Sequence, residues 1–411
     1  VNDLTGFIRS LRFQTYYTRV NHWMTDQYRT SSLNLLREYS MGTLAGTEAL
    51  GGKAEIVSRD VTFGFEAYHR RWDGNTQMSG SSYAPQYSIP DVRTDSFGLY
   101  SEYNRSLTER LKLSLGGRLD TITTAADETK ANTNLYYAYN SIRRTSKTNN
   151  FASGSARLSY RSGFGLELGG GVGHTVRVPD ARERYFALKR MGTDWVGNPG
   201  LEPSRNTGLD TGASFHLRGL LLESNLYLDF IRDYISVVPQ TRVNMVSGVM
   251  NTKARSYQNV DARMYGGEFL VSYLLTRRLF VSSDLSYVRG TRDIVPQHGI
   301  VTSDLSEIPP MRSRTSLRYD AGRFFGEVEG LFTSAQNYVD STLGEQRTAG
   351  YGIANLKGGV SYRKLSLKVS LNNLFGRRYY EHLSYQRDPF RSGARIYEPG
   401  RNLLINVAYR F

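Results

Sequence analysis

The stretch Val20-Asn21-His22-Trp23-Met24-Thr25-Asp26 holds the most distinctive chemistry in this 411-residue chain. His22 and Met24 stand two positions apart. In an extended segment both side chains leave one face, with Cα atoms ~6.5–7 Å apart, so an imidazole and a thioether can converge on one ion. That soft pair selects copper, Cu(I) above all, over hard cations. The plainer reading is a polar histidine beside a packing methionine. No catalytic arrangement competes. The chain has no cysteine, and its six histidines (22, 69, 174, 216, 298, 382) are scattered. Gly169-Gly170-Gly171 lies inside a strand pattern, which favours close packing or a bend over a phosphate cradle. The remaining methionines (41, 78, 191, 245, 250, 264, 311) fall mostly in or near loop-like segments. They are either further weak soft sites or gap fillers. No enzyme activity and no resident cofactor is expected.

The elements that must carry these residues are strands. Apolar residues make up 39% of the chain, mean hydropathy is −0.46, and no run approaches the length of a membrane-spanning helix. A transmembrane barrel has the same profile, because only alternate residues meet lipid. The 29 tyrosines suit aromatic girdles, and 40 glycines with 11 prolines suit many turns. Period-two alternation recurs. Leu111, Leu113, Leu115 and Leu119 oppose Lys112, Ser114, Arg118 and Asp120; Leu365, Leu367, Val369 and Leu371 oppose Ser366, Lys368, Ser370 and Asn372. In the first such segment Leu11, Phe13, Tyr17 and Trp23 take one face, while Arg12, Gln14, Thr18, His22 and Met24 take the other.

About sixteen strands are predicted, near 10–25, 48–58, 61–72, 94–105, 111–124, 150–160, 165–177, 205–217, 220–235, 256–275, 279–292, 311–320, 323–336, 350–362, 365–376 and 400–411. Their connections alternate short (161–163, 276–278, 320–322, 363–364) with long (73–93, 125–149, 178–204, 293–310, 377–399), the pattern of short turns and long external loops in outer-membrane barrels. Leu403, Ile405, Val407, Tyr409 and Phe411 form one face of the last strand. The formal charge of +14 is spread along the chain, not gathered in a stripe, so nucleic acid is not the expected partner; an acidic lipopolysaccharide surface has the right sign.

Several blocks resemble the TonB-dependent receptors. Asn372-Asn373-Leu374-Phe375-Gly376-Arg377-Arg378-Tyr379-Tyr380 is followed by Glu398-Pro399-Gly400-Arg401. Thr175-Val176-Arg177-Val178-Pro179-Asp180 with Glu183-Arg184-Tyr185 precedes Gly197-Asn198-Pro199-Gly200-Leu201-Glu202-Pro203. Tyr257-Gln258-Asn259-Val260 stands before Tyr265-Gly266-Gly267-Glu268. The Val20–Asp26 stretch resembles the V-D-H-x-M-D segment of the copper receptors in that family, with Asn21 in place of the acidic residue and Thr25 separating Met24 from Asp26.

The resemblance implies an all-β transmembrane antiparallel barrel in the bacterial outer membrane. The visible strands would be part of a 22-stranded wall, residues 1–411 an N-terminally incomplete barrel domain, and the plug absent. It further implies TonB-driven import, contact with TonB through the missing plug, an assembly signal at Phe411 for the barrel assembly machinery, and copper as cargo at His22 and Met24. A ferric siderophore or cobalamin as cargo, and a passive sixteen-stranded porin, are the alternatives.

Overall fold

A computed structural model describes residues 8–30, 41–78, 85–189, 194–241, 243, 253–384, 386–388 and 391–411. Sixteen long strands dominate. In the first half they are β1 (Ile8–Thr25), β2 (Met41–Ser58), β3 (Val61–Met78), β4 (Gln86–Ser106), β5 (Leu111–Ala125), β6 (Ser146–Arg161) and β7 (Leu166–Arg177). Two short strands, β8 (Ala187–Leu188) and β9 (Asp194–Val196), lie within a loop. The wall resumes with β10 (Ser204–Leu217), β11 (Leu220–Thr241), β12 (Lys253–Thr276), β13 (Leu279–Arg292), β14 (Arg312–Asp320), β15 (Phe324–Thr333), β16 (Tyr351–Tyr362) and β17 (Leu365–Asn372). A small hairpin, β18 (Gln386–Asp388) and β19 (Arg391–Ala394), precedes the last wall strand, β20 (Asn402–Tyr409). Two helices, α1 (Thr133–Asn140) and α2 (Ala181–Tyr185), sit in long loops.

Every wall strand pairs antiparallel with its sequence neighbour in the wall, from β1–β2 through β7–β10 to β17–β20. The short turns need tight chirality, supplied at Gly165, Gly219 and Gly322 by positive φ. Among the described residues no ladder joins β1 to β20.

Register gives the sheet two unlike faces. Following partners across the ladders, Lys53 and Glu55, Glu66, Arg118 and Asp120, Arg157, Asp210, Glu268, Asp284, Arg314 and Arg318, Glu327 and Glu329, Lys357 and Lys368 share one face. They knit into ion pairs: Arg118–Glu66 at 2.9 Å, Arg118–Asp120 and Arg318–Asp320 at 2.8 Å, Lys357–Glu329 at 2.7 Å. The opposite face carries Phe13, Leu50, Phe65, Leu99, Leu119, Leu158, Leu209, Leu226, Phe269, Leu317, Val328 and Leu356, all exposed. Exposed apolar residues in such a continuous belt require a lipid solvent. Leu403, Ile405, Val407 and Tyr409 belong to the apolar face, as their alternation predicts, and Phe411 follows the last strand fully exposed.

The strands run further than the alternation indicates at the long-loop end. β2 starts at Met41, not 48, and β3 continues to Met78, not 72, because ladder pairing persists beyond the apolar belt where alternation fades. α1, α2, β8 and β9 escaped prediction; each is too short to show periodicity. The largest buried apolar cluster among the described residues lies here. Ile89 and Val92 of β4, Leu135, Tyr136 and Tyr139 of α1, Tyr185 of α2, Val196 of β9 and Ala254 of β12 form one buried cluster. That β4 and β12 meet the same loops shows how strongly the sheet curves.

Candidate ligand site on the polar face

β1 runs from the short-turn end to the long-loop end, so His22 and Met24 stand near its loop end. Both lie on the face of Arg12 and Gln14, the polar one, and both are exposed, Met24 at 51%. Their cross-strand partners are small. His22 faces Ala45, which faces Gly74; Met24 faces Thr43, which faces Thr76 across a 3.1 Å hydroxyl contact. Small partners leave the imidazole and thioether room to turn toward a ligand.

One row further out, Met41 of β2 is opposite Met78 of β3. Alternation places Met41 on the face of Thr43 and Ala45, hence on that of His22 and Met24. Sequence reading assigned Met41 and Met78 to loop-like segments; the extended ladder turns them into strand positions beside the pair. Asp26, just past the strand, accepts the Met41 N–H at 3.0 Å and pins the two strands together. Met264 lies on the same polar face far around the sheet on β12, and Met311 precedes β14. Met191, Met245 and Met250 lie outside the described residues. Among the described residues no three His, Cys, Asp or Glu side chains gather in a metal-holding group. The scattered histidines have other tasks: His69 contacts Asp95, His174 contacts Thr207, and His382 is buried in a loop.

The sequence blocks prove to be loop pins. Arg177 donates to Glu183 at 2.8 Å, and Glu183 accepts the Asp180 N–H at 2.8 Å, forming with the Asp180 carboxylate a capping box for α2. The Tyr185 hydroxyl donates to the Thr124 carbonyl at 3.2 Å; burial pushes its phenol up to about 12. Asn198 donates to the Tyr257 carbonyl, and Asn259 donates to the carbonyls of Glu202 and Asp233, tying the second block to the third. Asn373, at φ +50°, donates to the Arg377 carbonyl and accepts its N–H, both at 2.8 Å. Gly376 follows at φ +65°. Gly171 and Gly169 make space for the Arg157–Asp210 ion pair, so the glycine triplet is a packing feature and no phosphate cradle.

A second buried polar cluster was not legible in sequence. Arg292 and Asp340 pair at 2.6 Å with almost no exposure. Beside them, Glu345 accepts from the Glu307 and Asp340 amides at 2.7 Å each and from His382 at 3.2 Å. Burial alone would raise the Glu345 carboxyl, but those donors together outweigh it and hold it below the ordinary glutamate value. The cluster ties together Glu307, Asp340 with Glu345, and His382, one stretch from each of three long loops.

An apolar belt outside, an ion-paired face inside, and short turns opposite folded loops define the wall of a transmembrane β-barrel. The match to the family described as TonB dependent receptor-like, beta-barrel, over residues 2–374, shows that the chain belongs to the TonB-dependent receptors of the bacterial outer membrane. Comparison with curated proteins finds no match. Among solved structures the chain is similar to the copper transporter OprC, at 20% identity and TM-score 0.82, covering 100% of this chain and 64% of that one. It is also similar to the FrpB iron transporter from Neisseria meningitidis, F5-1 variant, at 15% identity and TM-score 0.69, covering 100% and 62%. The ferric-catecholate import receptor Fiu from K12 E. coli follows at 14% identity and TM-score 0.62, again covering 100% and 62%. The chain therefore spans under two-thirds of the length of these structures, and at such identities the likeness is one of fold.

Proposed function

We propose that this chain forms the larger part of the wall of a receptor that imports copper ions, with TonB supplying the energy through a plug domain. The observation that carries the cargo is the placement of His22 and Met24 together on the lumen-facing side near the external end of β1, with Met41 in the adjoining row. An imidazole with one or two thioethers suits Cu(I). Two wall ligands hold a metal weakly, so tight binding requires further ligands from the plug, which would also exclude water. Phe411 would serve the barrel assembly machinery as its recognition residue.

Among the described residues no ladder joins β1 to β20, which supports a wall of more than sixteen strands. The number added must be even, because β1 and β20 run in opposite directions. Family membership and that missing ladder favour this over a closed sixteen-stranded porin. The ferric-chelate reading differs in its prediction. Cells expressing the full-length receptor should accumulate copper from low-copper medium only when TonB is present. Growth rescue by ferric siderophores, without TonB-dependent copper accumulation, would overturn the copper assignment and keep the receptor class.

A further inference from the structure

The lipid-facing side is chemically lopsided. At the short-turn end it carries Tyr103, Tyr160, Tyr273, Tyr319, Tyr362 and Tyr409, an aromatic rim. At the loop end, on β10 to β12, the same side gathers three arginines, with Asp261 beside them on β12. Arg205 stands directly opposite Arg232, and Arg263 is opposite Phe230, two residues before Arg232. All three share the side of Leu209, Leu226 and Phe269. Arg205 is bridged to Asp233 at 2.9 Å, while the Asp261 carboxylate accepts the Asp233 N–H. Arg289 on β13 is held by Asp304 at 2.6 Å and lies over Tyr338. Arg232 and Arg263 are exposed, and neither has a carboxylate partner among the described residues; the Arg263 guanidinium rests 5.8 Å from the Phe230 ring centroid.

Like charges directly opposite on one sheet face repel. A lipid-facing arginine is costly at mid-membrane and nearly neutral near the interface. A row of arginines just above the apolar belt at the loop end therefore calls for an anion supplied by that leaflet. Guanidinium groups bind phosphate in fork geometry with charge-assisted hydrogen bonds. We propose that Arg232 and Arg263, with Arg205 completing the row, bind the phosphate groups of the anionic glycolipid of the outer leaflet, lipopolysaccharide. This site rests on the barrel's place in the outer membrane and is independent of the copper reading.

The test compares the full-length receptor with its Arg232→Gln/Arg263→Gln variant, both purified in mild detergent from cells that make lipopolysaccharide. Native mass spectrometry reads the lipid retained. The variant should retain about ten-fold less, as expected for loss of charge-assisted phosphate contacts. Arg157→Gln, on the polar face, should retain as much as the parent. Added lipopolysaccharide should rebind the parent, its dephosphorylated form should not, and millimolar inorganic phosphate should not displace it. Equal retention by parent and double variant, both with the folded barrel's heat-modifiable mobility, overturns the site. Rebinding of dephosphorylated lipid removes the phosphate contact, and displacement by inorganic phosphate reassigns the row to free phosphate.

Discussion

At the scale of single residues, the polar side chains the sequence advertises and those that matter most for loop structure are different sets. Asn373 stood within a family-resembling block, and it ties the strand end to Arg377. The Glu345–His382 contact was not readable in the sequence, because the partners lie 37 positions apart, with β16 and β17 between them, and no periodicity links them. Glu345 makes a specific pH prediction. Its folded value is depressed, so its stabilising contribution is complete above the unfolded glutamate value of about 4.3 and is lost as pH falls through the folded one. Limited proteolysis of the full-length receptor should show the 334–350 loop opening as pH drops below the ordinary glutamate range. Glu345→Gln should be cut more readily near neutrality and show less change with pH; unaltered acid sensitivity in that variant would dissociate Glu345 from the effect. Asn373→Ala removes its side-chain hydrogen bonds and places alanine at positive φ, costing about 1–3 kcal/mol locally. Faster hydrogen exchange across 373–384 is the expected readout, with the neighbouring ladders unchanged.

At the scale of elements, alternation found all sixteen wall strands because lipid on one side and ions on the other force period two. It failed at the strand ends above the belt, where both faces meet water, and in the loops, whose α1 and α2 are held by tertiary contacts. That failure hid the strand placement of Met41. The register itself is testable. Val407→Arg sets a cation on the apolar face and should destabilise the barrel by about 2–4 kcal/mol at mid-membrane, whereas Asn406→Arg on the polar face should be tolerated. Urea unfolding in lipid vesicles separates the two, and equal costs would mean the faces are wrongly assigned. Gly266 provides a packing test. A side chain there would strike the Tyr227 ring and the Tyr287 carbonyl, so Gly266→Val should lose the heat-modifiable folded form, while Gly326→Ala meets open space and should keep it.

At the scale of the whole molecule, the blocks that betray the family are pins between loops and wall, which is why they reveal architecture and say little about cargo. The proposed cargo rests on a two-residue pattern that any strand could carry by chance, read through where the fold puts it: on the inner face, near the outer rim, beside small residues and Met41. The most direct test of that reading is a Cu(I) competition titration of the purified full-length receptor against its His22→Ala/Met24→Ala variant, with folding confirmed by heat-modifiable mobility. The variant should fold normally and bind copper at least about ten-fold more weakly, a loss of about 1.4 kcal/mol or more. Equal copper affinity in the two folded proteins would contradict that reading and remove His22 and Met24 as ligands.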